Sequence, residues 1–185
     1  MRQRITKAFA KLDERDPLHT HLKKVVLPRL GFEIAQPDFE LVSLSKQLTV
    51  FLYRERKSNA LIVGKFFGHR TKQPENDPQR SLDLEFNNLV QTRKKGLNNP
   101  PCQVVRPLSK NKRLKCVLIE DFIPGRDLDH YIAKAAYEGK NHQLMDKLHT
   151  LAIFLAHLHK MMAVKTQVNN GENTVSYTHL RAHET

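Results

Sequence analysis

The stretch Leu61-Ile-Val-Gly-Lys-Phe-Phe67 decides the fold, because it predicts a β-strand that carries a charge on an apolar face. Side chains alternate between the two faces of a strand, so Lys65 points the same way as Val63 and Phe67. A buried ammonium group is costly unless an anion pairs with it. The stretch therefore predicts that a carboxylate from elsewhere in the chain contacts Lys65.

The next helix offers that carboxylate. Asp77-Pro78 predicts its start, with an N-cap followed by proline at the first helical position. Glu85 lies on or beside the apolar stripe of this helix, which consists of Leu82, Phe86 and Leu89. We predict that Lys65 and Glu85 form an ion pair. Taken singly, each charge has an ordinary alternative, a snorkelling lysine at a strand end or a carboxylate on the solvated edge of the stripe.

The remaining pattern predicts an α+β fold. Apolar and β-branched runs predict five strands, at Phe39–Ser45, Leu48–Arg54, Leu61–Phe67, 103–107 and 115–122, with a basic turn Ser109–Arg113 between the last two. Helices are predicted over residues 2–12 (with Ile5, Phe9 and Leu12 on one face), 16–31, 77–96, 127–138 and 144–162. Four segments follow: an N-terminal helical segment 1–37, a sheet lobe 38–123, a helical region 124–166 and a disordered tail 167–185.

Composition narrows the class of protein. The 185 residues hold 31 Lys and Arg against 19 Asp and Glu, a net charge of +12. Such a charge is typical of an ordinary solvated surface or of a protein with an anionic partner, which could be a nucleic acid, a membrane surface or a phosphorylated small molecule. No apolar run approaches the ~20 residues of a membrane span, and no secretory signal is evident. With two cysteines and no zinc-ligand spacing, a cytoplasmic protein without a structural metal is predicted. A basic α/β module that binds RNA or another polyanion without catalysis is the alternative, although its basic stretches 93–95 and 110–115 lack interleaved aromatics.

The order of these elements resembles a known family. The residues that carry the resemblance are Val63-Gly-Lys65, Glu85, the run Val117-Leu-Ile-Glu-Asp-Phe-Ile-Pro-Gly125 and the helix ending Leu155-Ala-His-Leu-His159, within residues 38–165. Together they resemble the protein-kinase-like fold of the aminoglycoside phosphotransferase and choline kinase type. The resemblance implies a kinase-like N-lobe, an antiparallel five-stranded sheet with a helix carrying the lysine's Glu partner, followed by the first helices of a truncated helical C-lobe.

The resemblance also implies a function and a site. The function is that of an ATP-dependent phosphotransferase, which acts on a small hydroxylated molecule with ATP and Mg²⁺ as cofactors. In such a protein Lys65 would hold the α- and β-phosphates of ATP, and Glu85 would position Lys65. The adenine-binding hinge would consist of Ile119, Glu120, Asp121 and Phe122, with the main chain of Glu120 and Phe122 bonding adenine and Ile119 lining its pocket. Ser45 and Lys46, in the loop between the first two strands, are further phosphate-binding candidates. That loop has no glycine, so an ordinary hairpin turn is the alternative there.

The chain departs from the family at its C-terminal end. The family's catalytic loop, His-x-Asp followed by Asn, and its metal-binding Asp would lie after the long helix and are absent, so no catalytic or metal-binding residue is assigned. Asp127-Leu-Asp129 is typical of the first turn of a helix, where acids favour the dipole. Residues 175–185, Val-Ser-Tyr-Thr-His-Leu-Arg-Ala-His-Glu-Thr, match the translation of a transposase-type sequencing adapter. We therefore expect a non-native tail, and an ATP-binding fragment whose Mg²⁺ ligands and catalytic loop lie in a missing C-terminal part.

Overall fold

The structure is a computed structural model that describes residues 10–45, 47, 49–68 and 77–163. Its centre is a six-stranded antiparallel sheet in the order β1-β2-β3-β4-β8-β7. The strands are β1 (Ala10–Lys11), β2 (Phe39–Ser43), β3 (Val50–Glu55), β4 (Leu61–Phe66), β7 (Pro107–Asn111) and β8 (Val117–Asp121). A separate two-stranded hairpin pairs β5 (Asn98–Asn99) with β6 (Cys102–Gln103).

Several helix ends lie where local backbone chemistry predicts. They are α1 (Pro17–His21), continued by a π-helical turn Leu22–Val26 into α2 (Leu27–Arg29), then α3 (Pro78–Lys94), α4 (Leu128–Glu138) and α5 (Asn141–Met162). The Asp16 side chain caps α1 by accepting from the Leu18 amide, and Asp77 caps α3 in the same way. Gly139 follows α4 with a φ of 67°, a conformation that glycine adopts without strain.

Each face of the sheet packs against a different helical layer. On one face, Ile62 and Ile119 join a core with the N-terminal helices, which contribute Leu18, Leu22, Val26 and Leu27. On the other face, α3 places Leu82, which has no exposed surface, against Phe67 and Leu118. Burying one such leucine contributes about 2 kcal/mol. The face covered by α3 is the one that carries Lys65.

The helices α4 and α5 pack against each other beyond the sheet. The C-terminal end of α5 lies against the end of α3, where Lys95 Nζ donates to the Met161 carbonyl at 3.3 Å. Several apolar side chains of this hairpin are exposed, among them Tyr137, Met145, Leu151 and Leu155. Among the helices of the described ranges, none combines the length and the apolar character that crossing a bilayer requires.

The N-terminal prediction is corrected in part. Ala10–Lys11 forms a sixth strand on β2, so the sheet has six strands and not five, and the helix predicted over residues 2–12 is wrong at its C-terminal end. The Leu12 amide donates to the Phe39 carbonyl at 2.9 Å, and Leu12 itself is buried in the core. Hydrogen bonds to the neighbouring strand β2 thus decide the conformation of residues 10–12, although the spacing of their apolar side chains fits a helix. Residues 1–9, with Ile5 and Phe9, lie outside the described residues.

The strand predicted near residues 103–107 is also wrong. The strand beside β8 is Pro107–Asn111, which includes three of the five residues of the predicted basic turn, and Cys102–Gln103 pairs with Asn98–Asn99 instead. The turn itself spans residues 112–116, three residues later than predicted, and the Asn111 side chain accepts from two of the backbone amides there. Ser109 and Lys110 suggested a turn by their polarity, but Ser109 contacts His21 at 2.9 Å and Lys110 contacts Asp83 at 2.7 Å. Tertiary partners satisfy these polar groups within the strand.

Candidate functional site

Lys65 and Glu85 form the predicted ion pair. Lys65 projects from β4 toward α3, and its Nζ donates a hydrogen bond to Glu85 Oε1. The two side chains are 32% and 33% exposed, so solvent or a ligand reaches the pair from one side. The structure therefore holds a cation at the surface of the sheet, with its position set by a carboxylate from another element.

Both partners rest on rigid elements. Strand β4 lies between β3 and β8, where Lys65 faces Val50 and Leu118, and Lys65 Nζ stands 5.5 Å from the centroid of the Phe67 ring. Helix α3 is anchored through buried Leu82. It is also anchored by Asp83, which contacts both Lys110 Nζ and Lys112 Nζ at 2.7 Å. The helix is thus anchored within the turn that precedes Glu85, which limits how far the carboxylate can move.

A third charged side chain lies on the same face. Glu120 of β8 pairs with Val63 of β4, and is therefore on the face that Lys65 shares. It is only 9% exposed, and within the described residues its carboxyl has no hydrogen-bond donor and no ion-pair partner. Burial raises the pKa of Glu120 to about 7, the Glu85 carboxylate adds to the rise, and Lys65 opposes it.

The remaining hinge residues are dispersed around the end of β8. Ile119 is fully buried in the core on the opposite face, so the structure does not bring it together with Lys65. Asp121 pairs with Arg106 Nη2 at 3.1 Å. The main chain of Glu120 is inside the sheet, between Val63 and Pro107, whereas Phe122 is the first residue beyond β8. Only Phe122 therefore presents main chain past the end of the strand.

Ser45 contributes to a turn in the described contacts. Its hydroxyl accepts from the Thr49 and Val50 amides at 3.0 and 3.1 Å, and its carbonyl accepts from Ser43 Oγ at 2.7 Å. These contacts match the ordinary hairpin alternative for this loop. Lys46, the other phosphate-binding candidate of the loop, lies outside the described residues.

Sequence reasoning missed the Glu120 side chain. The signal was present, since Glu120 is an acidic residue in the apolar run Val117-Leu-Ile-Glu, an anomaly of the same kind as Lys65. The resemblance assigned a role only to its main chain, and the alternation rule alone could not show which strand lies beside β8. In the described part of the chain, no group of three or more His, Cys, Asp or Glu side chains is arranged to hold a metal ion.

A groove opens next to the ion pair. It has a volume of about 370 Å³ and runs along α3 past Glu85, between Phe67 and the exposed side chain of Leu84. The groove is shallow and open to solvent, and its lining mixes apolar and polar side chains. Comparison of the chain with family models, with curated proteins and with solved structures finds no match.

Proposed function

We propose that this chain is the nucleotide-binding lobe of an ATP-dependent phosphotransferase of the aminoglycoside phosphotransferase type, which acts with Mg²⁺ on a small hydroxylated molecule. The observation that carries the proposal is the Lys65–Glu85 ion pair between β4 and α3. The proposal assigns nucleotide binding to this chain. It assigns no catalytic base and no metal ligand among the described residues.

The pair suits a phosphate ligand. Phosphoryl transfer depends on positioning and on neutralising phosphate charge, with little covalent work for the protein. Glu85 occupies one side of the Lys65 ammonium and limits the rotamers of Lys65. Because about a third of the Lys65 side chain is exposed, its remaining N–H donors can bind a phosphate oxygen. A lysine held in this way loses less conformational entropy on binding than a free surface lysine.

The end of β8 supports the other half of a nucleotide site. Ile62 pairs with Asp121, so Phe122 lies beside the start of β4, four residues before Lys65. At ~3.3 Å per residue the separation along the sheet is about 13 Å. An extended nucleotide bridges such a distance, with its base at the main chain of Phe122 and its phosphates at Lys65. The proposal thus needs one ligand lying along β4.

Binding of Mg²⁺–ATP by purified variants tests the proposal. Lys65→Met removes the ammonium and keeps most of the side-chain volume, and we expect it to weaken ATP affinity at least tenfold, about 1.4 kcal/mol. Lys140→Met is the matched control, because Lys140 is an exposed lysine that pairs with Glu138 on α4. Isothermal titration calorimetry measures the affinities, with circular dichroism as the check on folding. Equal affinity of wild type and Lys65→Met would refute the assignment.

The described contacts do not favour a basic module that binds a polyanion. Lys110 and Lys112 are both held by Asp83, and Arg93 donates to the carbonyls of Val104 and Asn98, at 2.6 and 3.3 Å. Three of the basic side chains in the two candidate stretches thus contact other parts of the fold. The polyanion alternative predicts RNA affinity that falls steeply with salt and no stabilisation of the chain by Mg²⁺–ATP, which the same calorimetry distinguishes.

A further inference from the structure

The Glu120 side chain is mostly buried, and among the described residues no direct partner contacts its carboxyl group. It is 9% exposed, and among the described residues none donates a hydrogen bond to it. An unpaired buried carboxylate is strongly disfavoured, so such a group takes up a proton or draws in a cation. The nearest candidate cation can be identified from the register of the sheet.

Lys65 is within reach of Glu120. Lys65 stands opposite Leu118, and Glu120 is two residues further along β8 on the same face. Diagonal neighbours of this kind lie about 7–8 Å apart at Cα, a distance that long side chains bridge. The Lys65 ammonium can therefore contact Glu85 alone, as it does in the structure, or move toward Glu120 by rotamer changes.

The other charges around Glu120 are already paired. On β7, Lys110 is held by Asp83 of α3 at 2.7 Å, and Arg106 is held by Asp121 at 3.1 Å. The charged groups that act on the Glu120 carboxyl are thus Lys65 of β4 and Glu85 of α3. The Lys65 ammonium contacts one carboxylate and acts electrostatically on the other, so the ionisation of Glu120 changes how strongly Lys65 can bind a ligand.

We propose that Glu120 controls the affinity of Lys65 for a phosphate group. When Glu120 is neutral, it does not compete for the Lys65 ammonium, which can interact with Glu85 and with the ligand. In its ionised form it competes for the ammonium and repels the phosphate oxygens. The inference rests on the proposed function for the nature of the ligand. It predicts that phosphate binding is coupled to uptake of a proton by Glu120 near neutral pH, since burial raises the pKa of Glu120 to about 7.

The pH dependence of Mg²⁺–ATP affinity tests this coupling. Glu120→Gln mimics the neutral acid in volume and charge, so the ratio of its affinity to that of wild type isolates Glu120 from the titration of the nucleotide. We expect a ratio near one at about pH 6 that rises to roughly tenfold at about pH 8.5, the effect of one added negative charge near the phosphate. Glu138→Gln, at an exposed site on α4, serves as control and should follow wild type.

Two further readouts do not depend on the variant's folding. Calorimetry of wild type in buffers of different ionisation enthalpy should show proton uptake on binding at about pH 7.5, and carboxyl ¹³C NMR should show a glutamate whose pKa rises when ATP is added. A ratio that stays constant with pH, or binding without proton uptake, overturns the inference while the proposed function stands. No ATP binding by wild type at either pH overturns both.

Discussion

Glu120 should make the folded chain less stable as the pH rises. The pKa of Glu120 is raised by burial to about 7, against 4.5 for the ordinary side chain. Between these two values the folded chain binds a proton that the unfolded chain has released, so the free energy of unfolding falls with pH. At about 1.4 kcal/mol for each pH unit between the two pKa values, the loss is on the order of 3 kcal/mol, complete above about pH 8.

Urea unfolding of wild type and Glu120→Gln at a series of pH values measures this loss. The amide cannot ionise, so the two proteins should have similar free energies of unfolding at about pH 4.5, and Glu120→Gln should be the more stable by about 3 kcal/mol at about pH 8. Taking the difference between the proteins removes every group that they share. Glu138→Gln is the control, because a hydrogen bond from Lys140 lowers the pKa of Glu138, the opposite direction to the shift of Glu120.

Two outcomes would contradict a neutral Glu120 carboxyl in the folded chain. If the difference in unfolding free energy between wild type and Glu120→Gln is the same at both ends of the pH range, the carboxyl is not held neutral by burial. A difference of opposite sign, with wild type gaining stability as the pH rises, would mean that Lys65 already holds Glu120 as an anion. That result would also exclude the coupling between Glu120 and phosphate.

Two other predictions concern groups that support the sheet. Glu55 is fully buried, and although burial raises its pKa, hydrogen bonds from Ser58 and Asp38 outweigh that effect and lower the pKa. Glu55→Gln should therefore reduce the free energy of unfolding by about 2–3 kcal/mol at neutral pH, as measured by urea unfolding. This loss should shrink in acid, where the wild-type carboxylate is protonated. An undiminished cost in acid would contradict this. Burial, and to a smaller extent Arg29, lowers the pKa of His21 below 6.5. The wild-type chain should therefore lose free energy of unfolding relative to His21→Gln as the pH falls through 6.5. Unfolding free energies of the two proteins that change in parallel with pH would contradict this.

Local chemistry explains why much of the fold could be predicted. The starts of α1 and α3 at Asp-Pro pairs and the end of α4 at Gly139 depend on the backbone of a few neighbouring residues, and all three are confirmed. The prediction failed where distant groups decide the local structure. Ser109 is polar and suggested a turn, but His21 satisfies its hydroxyl at 2.9 Å within β7. Neither the sixth strand nor the position of β7 could be predicted from neighbouring residues alone.

For the site, the sequence by itself determined the pair of Lys65 and Glu85. Alternation in a strand and spacing on a helix are properties of single elements. Alternation puts Lys65 on the apolar face of its strand, and helical spacing puts Glu85 on or beside the apolar stripe of its helix. Only the tertiary structure decided that β8 lies beside β4 in the register that pairs Val63 with Glu120. Alternation tells which residues share a face of one strand, but hydrogen bonding between strands chooses the neighbour and the register, and so brings a second carboxyl to Lys65.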